Sequence, residues 1–197
     1  MSWRRRPSRV PSHDRLPPGQ NLTTKSPVFH MGHPPGFDPK PWTLTVLGEV
    51  ERPLTLTWQE LLALPSTTSG SDFHGVTGWS RLDNQWEGVA FRIIAERVQP
   101  KPHAQYVIGE DDWGYTANLP LDAPIDGEVL LAYRHDGRDL EPVPGGPLRL
   151  MVPKRYGWKS VKWLRVLHFR AYDAPGFWEV RGYSDTADPW TDDRYSF

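Results

Sequence analysis

Two short segments of this 197-residue chain concentrate residue types that bind ligands. The first, from Pro147 to His168, places six cationic side chains within seventeen residues of a protein whose net charge is -1. Aromatic residues and a glycine interrupt this basic run just before Lys159 and Ser160. A lysine charge, a serine hydroxyl and backbone freed by glycine are suited to holding a phosphate or pyrophosphate. The segment therefore predicts a phosphate site, and the alternative is a solvated basic face of a hairpin. The six cations are Arg149, Lys154, Arg155, Lys159, Lys162 and Arg165.

The second segment, Asp72 to Val89, packs two tryptophans and three glycines into eighteen residues. Glycine lets a backbone approach a ligand closely, and a neighbouring aromatic ring can form a wall for a flat ligand. A surface loop does not need tryptophan, and strands tolerate few glycines. The segment is therefore interpreted as a ligand-binding loop around Gly75 and Trp79. The alternative is a bulged strand that carries two core tryptophans.

Composition excludes several classes of protein. The near-neutral charge gives no electrostatic footprint for nucleic acid, so no nucleic-acid partner is expected. No run of eighteen apolar residues is present, so no membrane-spanning helix is expected. Because the chain has no cysteine, disulfides, zinc–thiolate sites, iron–sulfur clusters and cysteine nucleophiles are all excluded. A chain of this length can bury a full core as one domain.

Short strands dominate the predicted elements, and the few helices do not alternate regularly with them. Strands are predicted over 42–47, 106–108, 128–133, 148–152 and 161–170, and helices over 57–64 and 89–98. Thr57 and Glu60 have capping-box spacing at the start of the first helix. This pattern predicts an α+β fold that is mixed and strand-rich. Four side chains on apolar faces are expected to serve the core, namely Trp42, Trp58, Leu61 and Trp163.

The two ends of the chain are expected to be irregular. Prolines prevent regular helix in residues 1–27, which are predicted to form an extended arm before one domain over 28–197. From about residue 172 the tail is rich in proline, glycine and acids, and its four tyrosines and tryptophans beyond Phe177 are expected to hold it across the domain surface. The arginines at 4–6 resemble an export signal, but polar, proline-rich sequence follows them. A cytoplasmic protein is therefore expected.

Five motifs, taken in order, carry a family resemblance. They are PVFHMG, then WTLTVLG with ERPL, then DFHGVTGWSRLD, then PLRLMVPKRYGWKSVKW, and finally the ending DPW, separated by three residues from RY. Together they resemble the sulfite oxidase-fold molybdopterin oxidoreductases from about residue 17 to 195. The resemblance is to their small bacterial single-domain branch, which is similar to the catalytic part of protein-methionine-sulfoxide reductase. It implies a molybdenum–molybdopterin cofactor, oxygen-atom transfer of sulfoxide or sulfite type, a small-molecule substrate and a redox partner protein.

The resemblance also implies roles for individual residues. His30 matches the histidine of the family's N-terminal cofactor segment, and Arg149 matches the arginine after the glycine turn. The positions that hold the pterin phosphate are matched by Ser160, Val161 and Lys162. Two further cofactor-binding candidates are Lys159, from the basic segment, and His74, beside the family's metal-ligand position. In an extended loop the His74 side chain points to the opposite face, and a structural role is its alternative.

One departure from the family concerns the metal. The family motif reads H-C-V-T-x-W-S, with the cysteine thiolate coordinating molybdenum, and here Gly75 stands at that position. Glycine supplies no thiolate, so no metal ligand is assigned within the chain. Gly75, Trp79 and Tyr156 are the candidates for the catalytic pocket. Because Trp79 and Ser80 stand where sulfite oxidases place arginines, anionic sulfite is disfavoured. The alternative function is a non-catalytic or cofactor-impaired module that binds pterin or a protein.

Overall fold

The computed structural model describes residues 12–25, 36–126 and 128–196. The strands in these ranges are β1 (Asn21–Leu22), β2 (Thr43–Gly48), β3 (Leu54–Thr57), β4 (Ser66–Gly75), β5 (Trp79–Ala90), β6 (Tyr106–Asp111), β7 (Thr116–Pro120), β8 (Leu130–His135), β9 (Arg138–Asp139), β10 (Arg149–Met151) and β11 (Leu164–Arg170). The α-helices are α1 (Trp58–Leu62), α2 (Phe91–Val98) and α3 (Asp122–Asp126). Short 3-10 helices cover Ser12–Arg15, Gly157–Lys159, Glu179–Arg181 and Pro189–Thr191. None of the helices in the described ranges has the length and apolar character that crossing a membrane requires.

Two sheets carry the fold. In the first, β1, β5, β8 and β10 follow one another, while β4 also pairs with β5 and β9 with β8. The second has the order β3-β2-β11-β6-β7, in which β11 runs parallel to β2 and antiparallel to β6. Long strands with few, short helices confirm the predicted strand-rich α+β class.

Side chains alternate along the strands and so divide between two apolar layers. Leu131 of β8 and Leu150 of β10 belong to the main core, which both sheets and helices α1 and α2 share. Their chain neighbours Leu130 and Met151 belong to a second cluster on the opposite face of the first sheet. Polar side chains that alternate with core leucines in β10 therefore face this second layer.

The helix and strand predictions are confirmed apart from their ends. Helix α1 begins after Thr57, and the capping box between Thr57 and Glu60 is formed. Helix α2 begins at Phe91 and not at Val89, because Val89 still pairs with β8. Strand β11 begins at Leu164, because Trp163 has a φ of 51°, which interrupts extended backbone.

The segment 72–89 is a hairpin of two paired strands and not a loop. Strands β4 and β5 pair from Ser66 opposite Val89 to Gly75 opposite Trp79, with a register shift between Ser71 and Phe73. The turn between them includes Gly78, whose φ of 87° favours glycine and whose N–H donates to the Gly75 carbonyl at 3.1 Å. The bulged-strand alternative is therefore the observed geometry, although both ends of the turn still line a cavity.

Candidate cofactor site

A cavity of about 490 Å³ opens beside the second apolar cluster and has the size of a cofactor pocket. Its walls come from the hairpin, the basic segment, the turn after β6 and the C-terminal tail. Aromatic side chains dominate these walls, namely Phe73, Trp79, Trp86, Trp113, Tyr115, Trp158, Trp163, Phe177, Trp178 and Tyr183. Such walls suit a flat, conjugated ligand.

One end of the cavity is cationic and centres on Arg149. Its guanidinium is buried, with 6% of the residue exposed, and lies 4.9 Å from the ring centroid of Phe73. One terminal nitrogen donates to the carbonyl of Pro144 at 3.1 Å, while the buried Nε has no hydrogen-bond partner among the described residues. Burial lowers the pKa of Arg149 to about 10. The guanidinium is charged at neutral pH, and part of its hydrogen-bonding capacity is left for a ligand.

Lys162 lies beside Arg149 at the same end. Burial, reinforced by the charge of Arg149, lowers the pKa of Lys162 to about 7, while Asp111 opposes the shift. The backbone of Gly145 passes so close that a Cβ there would lie 2.7 Å from Cγ of Lys162. Glycine is therefore required at Gly145, which also has a φ of 109°. Ser160 completes this end: its hydroxyl accepts the N–H of Val152 at 3.0 Å and can still donate its own hydrogen.

Local sequence explains why these polar side chains share one wall. Val161 packs in the main core, and its neighbours Ser160 and Lys162 line the cavity. In the same way Leu150 lies in the core while Arg149 lines the cavity. Alternation of one core residue with flanking polar residues thus brings three of the predicted phosphate residues together. Val161 contacts the core with its side chain instead.

A second region of the cavity wall, the turn end, is formed by the hairpin turn, with Gly75 and Trp79 as a cross-strand pair. The Gly75 backbone is not in the left-handed region. A Cβ built at Gly75 would nevertheless lie 2.1 Å from Cε2 and 2.2 Å from Nε1 of Trp79. The indole therefore fills the space that a side chain at position 75 would need. Its Nε1 is buried and has no hydrogen-bond partner within the described part of the chain.

Two of the predicted site residues that the structure describes turn away from the cavity toward the chain ends. The side chain of His74 lies on the opposite face of β4 from Gly75, with Nδ1 2.7 Å from Oγ of Ser80, and burial lowers its pKa. Tyr156 is fully buried outside the cavity lining and donates from its hydroxyl to Asp192 at 3.0 Å. The predicted contact of His30 lies outside the described residues.

Lys159 also lies away from the cavity lining. Its ammonium lies 2.5 Å from Oε1 of Glu179 and donates to the side-chain oxygen of Asn118 at 2.8 Å. Burial lowers the pKa of Lys159, although Glu179 opposes the shift. Trp158 donates to the same carboxylate at 3.0 Å. Lys159 therefore ties the tail segment around Glu179 to the basic segment, and Lys162 is the lysine that reaches the cavity.

Several residues that line the cavity were not among the predicted site residues. Trp163 was expected to serve only the core, yet it lines the cavity, with Nε1 donating to the carbonyl of Pro142 at 2.7 Å. The tail residues Phe177, Trp178 and Tyr183 form a cavity wall, whereas Trp178 and Tyr183 were expected only to hold the tail across the domain surface. The density of aromatic residues in an irregular tail was the available signal, because exposed tails rarely need them.

Comparisons with known proteins agree with this architecture. The family described as "Oxidoreductase molybdopterin binding domain" matches residues 30–178. The "Uncharacterized oxidoreductase YuiH" of Bacillus subtilis (strain 168) is 46% identical over 184 residues, which are 93% of each chain. The protein-methionine-sulfoxide reductase catalytic subunit MsrP of Gluconobacter oxydans (strain 621H) is 29% identical over 160 residues, covering 72% of this chain and 51% of MsrP.

A solved structure shares the fold. The sulfane dehydrogenase SoxCD from Paracoccus pantotrophus superposes with a TM-score of 0.68 at 23% identity, covering 74% of this chain and 42% of that one. The chain thus spans about half the length of MsrP and less of the SoxCD chain. The match over residues 30–178 includes the hairpin, the basic segment and most of the cavity wall. On these grounds the chain belongs to the molybdopterin-binding oxidoreductase family, with the strand-rich fold of the sulfite oxidase type.

Proposed function

We propose that the cavity binds a molybdenum–molybdopterin cofactor and that the chain is an oxygen-atom-transfer oxidoreductase acting on a neutral small molecule. The observation that carries the proposal is Arg149, a buried guanidinium whose Nε has no partner among the described residues. When bound, a molybdenum–pterin cofactor supplies oxygen-atom transfer coupled to a two-electron change. The protein's own residues bind the cofactor, orient it and exclude water.

The charge balance at the cationic end favours a phosphate there. Arg149 and Lys162 both line the cavity, and among the described lining residues Asp111 is the one carboxylate. Asp111 already accepts the backbone N–H groups of Trp113 at 2.7 Å and Tyr115 at 2.8 Å. Buried cations destabilise a fold unless an anion compensates them. A pterin phosphate would supply that charge to Arg149 and Lys162 and would accept the hydroxyl hydrogen of Ser160.

The aromatic walls fit the ring system of a pterin. Trp79 and Trp86 each line the cavity with a buried Nε1–H that has no hydrogen-bond partner in the described part of the chain. A pterin ring carries carbonyl and nitrogen acceptors in one plane, so it can accept such donors while its faces pack against aromatic rings. Trp86 is itself held by stacking on His135, with ring centroids 3.9 Å apart.

The residues at the turn end of the cavity determine how a metal ion could be held there. Gly75 offers no side-chain ligand, and the described residues contain no group of three histidine, aspartate or glutamate side chains that could hold a metal ion. Molybdenum would therefore be held through the cofactor alone, and we expect its binding to be labile. This proposal assigns Gly75 to the position of the family's thiolate ligand.

The same end indicates the class of substrate. Val76, Thr77 and Trp79 line it with neutral side chains, and the two lining cations, Arg149 and Lys162, come from the basic segment. A substrate that reaches this end would meet no fixed positive charge among the described lining residues. A neutral substrate, such as a sulfoxide, therefore fits better than anionic sulfite. A redox partner protein would exchange the electrons.

A second function is a pterin-binding protein that performs no turnover. The observation that favours it is the indole of Trp79, which fills the space next to Gly75. Metal analysis of the purified protein, combined with oxidative release of the fluorescent pterin, separates the two functions. Pterin with molybdenum supports the enzyme, pterin without molybdenum supports the non-catalytic protein, and no pterin rejects both.

The phosphate assignment is tested by Lys162→Ala. We expect the variant to retain much less pterin with its fold intact, because a charge-assisted contact is worth more than a neutral one. Lys154→Ala is the matched control, since Lys154 belongs to the same basic segment but is exposed and does not line this cavity. Equal pterin content in Lys162→Ala and in the unaltered protein would reject the assignment.

A further inference from the structure

We infer that Gln20, Asn21 and Arg194, which come from the two chain ends, are positioning residues for the turn that carries Gly75. All three lie outside the region 30–178 that the family match covers. The inference rests on the proposed function, because it assigns these residues to the assembly of a pterin-binding cavity. The N-terminal and C-terminal segments of the chain would then both help to hold the turn that forms part of the cavity wall.

Three backbone carbonyls of the turn accept side-chain donors from the chain ends. Nε2 of Gln20 donates to the carbonyl of Gly75 at 3.2 Å. A terminal nitrogen of Arg194 donates to the carbonyl of Val76 at 2.7 Å. Asn21 donates to the carbonyl of Gly78 from its side chain at 3.3 Å and from its backbone at 2.9 Å. Rotation of the turn backbone would break these bonds together.

A relay of hydrogen bonds fixes the orientation of the Gln20 amide. Oγ of Ser80 donates to Oε1 of Gln20 at 3.2 Å, so the amide nitrogen faces the Gly75 carbonyl. A hydroxyl has one hydrogen, which Ser80 gives to Gln20, and Nδ1–H of His74 therefore donates to Ser80 at 2.7 Å. Burial lowers the pKa of His74, which favours the neutral ring that this arrangement uses. His74 thus acts on the turn through Ser80 and Gln20.

Arg194 is held by a second set of contacts. Its Nε donates to Asp192 at 2.7 Å, and the hydroxyl of Tyr156 donates to the same carboxylate. Its guanidinium also lies 5.7 Å from the ring centroid of Tyr156. Tyr156 therefore orients Arg194. This role explains why Tyr156 is buried next to the cavity although its side chain does not line the cavity. The two chain ends meet here, since a Cβ at Gly19 would lie 3.3 Å from a terminal nitrogen of Arg194.

The decisive variants change Gln20. Gln20→Ala removes the donor to Gly75, and we expect the pterin to dissociate about fivefold faster, as the loss of one hydrogen bond implies. Gln20→Glu keeps the shape and the acceptor for Ser80, but at pH 7.5 it places a carboxylate against a carbonyl oxygen. The ordinary pKa of a glutamate carboxyl is about 4.3, so below pH 4 most of the introduced carboxyl is protonated and can donate again. The dissociation rate of this variant should then return toward that of the unaltered protein at the same pH. A purely structural effect of the substitution would not follow pH in this way.

Lys25→Ala is the control, because Lys25 is exposed in the same N-terminal segment and its side chain is not among the donors to the turn. Hydrogen exchange of the amides of residues 75–80 provides a readout that does not need the cofactor. Faster exchange there in Gln20→Ala, with unchanged exchange in β11, supports the inference. Unaltered exchange in Gln20→Ala overturns it, and so does a Gln20→Glu effect that is independent of pH. Absence of pterin from the unaltered protein would reject the proposed function, while the exchange comparison would still decide the inference.

Discussion

At the cationic end of the cavity, Arg149 and Lys162 alternate along the chain with Leu150 and Val161, whose side chains lie in the main core. At the turn end, Gly75 closes a hairpin whose carbonyls depend on donors from the two chain ends. The first end is therefore part of the main core, whereas the second depends on hydrogen bonds from segments that are distant in sequence. The difference teaches that ligand binding at the cationic end and the conformation of the turn can be altered separately in this molecule.

The two ends also differ in charge and in the space that they leave for a ligand. The cationic end has positive charge and an Arg149 Nε without a partner among the described residues, so it has capacity for an anion. The turn end has its space filled, because the indole of Trp79 lies against Gly75. An anion-binding end combined with a filled turn end accords with the proposal that this protein would bind the pterin tightly and the metal weakly.

The largest expected effect is on stability. Trp163 is 4% exposed and donates a hydrogen bond from Nε1, so Trp163→Ala should lower the free energy of unfolding by about 3–5 kcal/mol. Trp79→Ala, at the turn end, should cost only about 1 kcal/mol, because Trp79 is half-buried and leaves a space that opens into the cavity. Urea unfolding of both variants measures the difference. Equal losses would show that the two ends are equally integrated into the core.

Arg149→Met separates ligand binding from folding at the cationic end. Methionine keeps much of the apolar volume but removes the charge, so the affinity for pterin should fall about a hundredfold. The cofactor-free protein should unfold at the same or a higher temperature, because a buried cation without an anion destabilises the fold. Pterin release and thermal unfolding of the cofactor-free proteins test this. A large loss of thermal stability would instead assign Arg149 to the fold.

Gly75→Cys probes the turn end. The added Cβ would overlap the ring of Trp79, so the single variant should lose about 1–3 kcal/mol of stability. Gly75→Ala is the matched control, since it adds the same Cβ without sulfur. The double variant Gly75→Cys with Trp79→Ala should recover stability and bind more molybdenum than Gly75→Ala with Trp79→Ala. Elemental analysis after growth with added molybdate measures this, and equal molybdenum in the two double variants would refute the ligand assignment of position 75.

The smallest effect is a pH dependence at the cationic end. Burial and Arg149 lower the pKa of Lys162 from 10.5 to about 7 in the folded protein. The unfolded chain therefore binds more protons between these values, and the cofactor-free protein should become more stable as pH rises through this window.

The affinity for an anion changes with pH in the opposite direction to stability, because a phosphate binds better to protonated Lys162. Pterin affinity should fall by up to about tenfold per pH unit above pH 7. Pterin release at pH 6.5, 7.5 and 8.5 measures the slope, and Lys162→Met should flatten it. Trp79→Ala should keep the slope of the unaltered protein, because it changes only the turn end. If pterin release depended on pH in the same way in the Lys162 variant and in the unaltered protein, a group other than Lys162 would be responsible for the pH dependence.

Prediction from sequence succeeded where local pattern is sufficient. The family resemblance singled out Ser160, Val161 and Lys162 together, and the side chains of Ser160 and Lys162 line the cavity, while their role toward a phosphate stays a prediction. The capping box of Thr57 and Glu60 is local and is formed as predicted. Trp163 was misplaced because its positive φ, which arises at the junction with the Gly145 turn, turns its ring from the core into the cavity wall.

The sequence by itself determined the family, the strand-rich class, the basic segment and the absence of any side chain at Gly75. Only the tertiary structure decided that Lys162 reaches the cavity while Lys159 pairs with Glu179 of the tail. It also decided that the indole of Trp79 covers Gly75. The physical reason is that local periodicity sets the face of a strand on which a side chain lies, whereas its partner depends on which distant segment packs against that face.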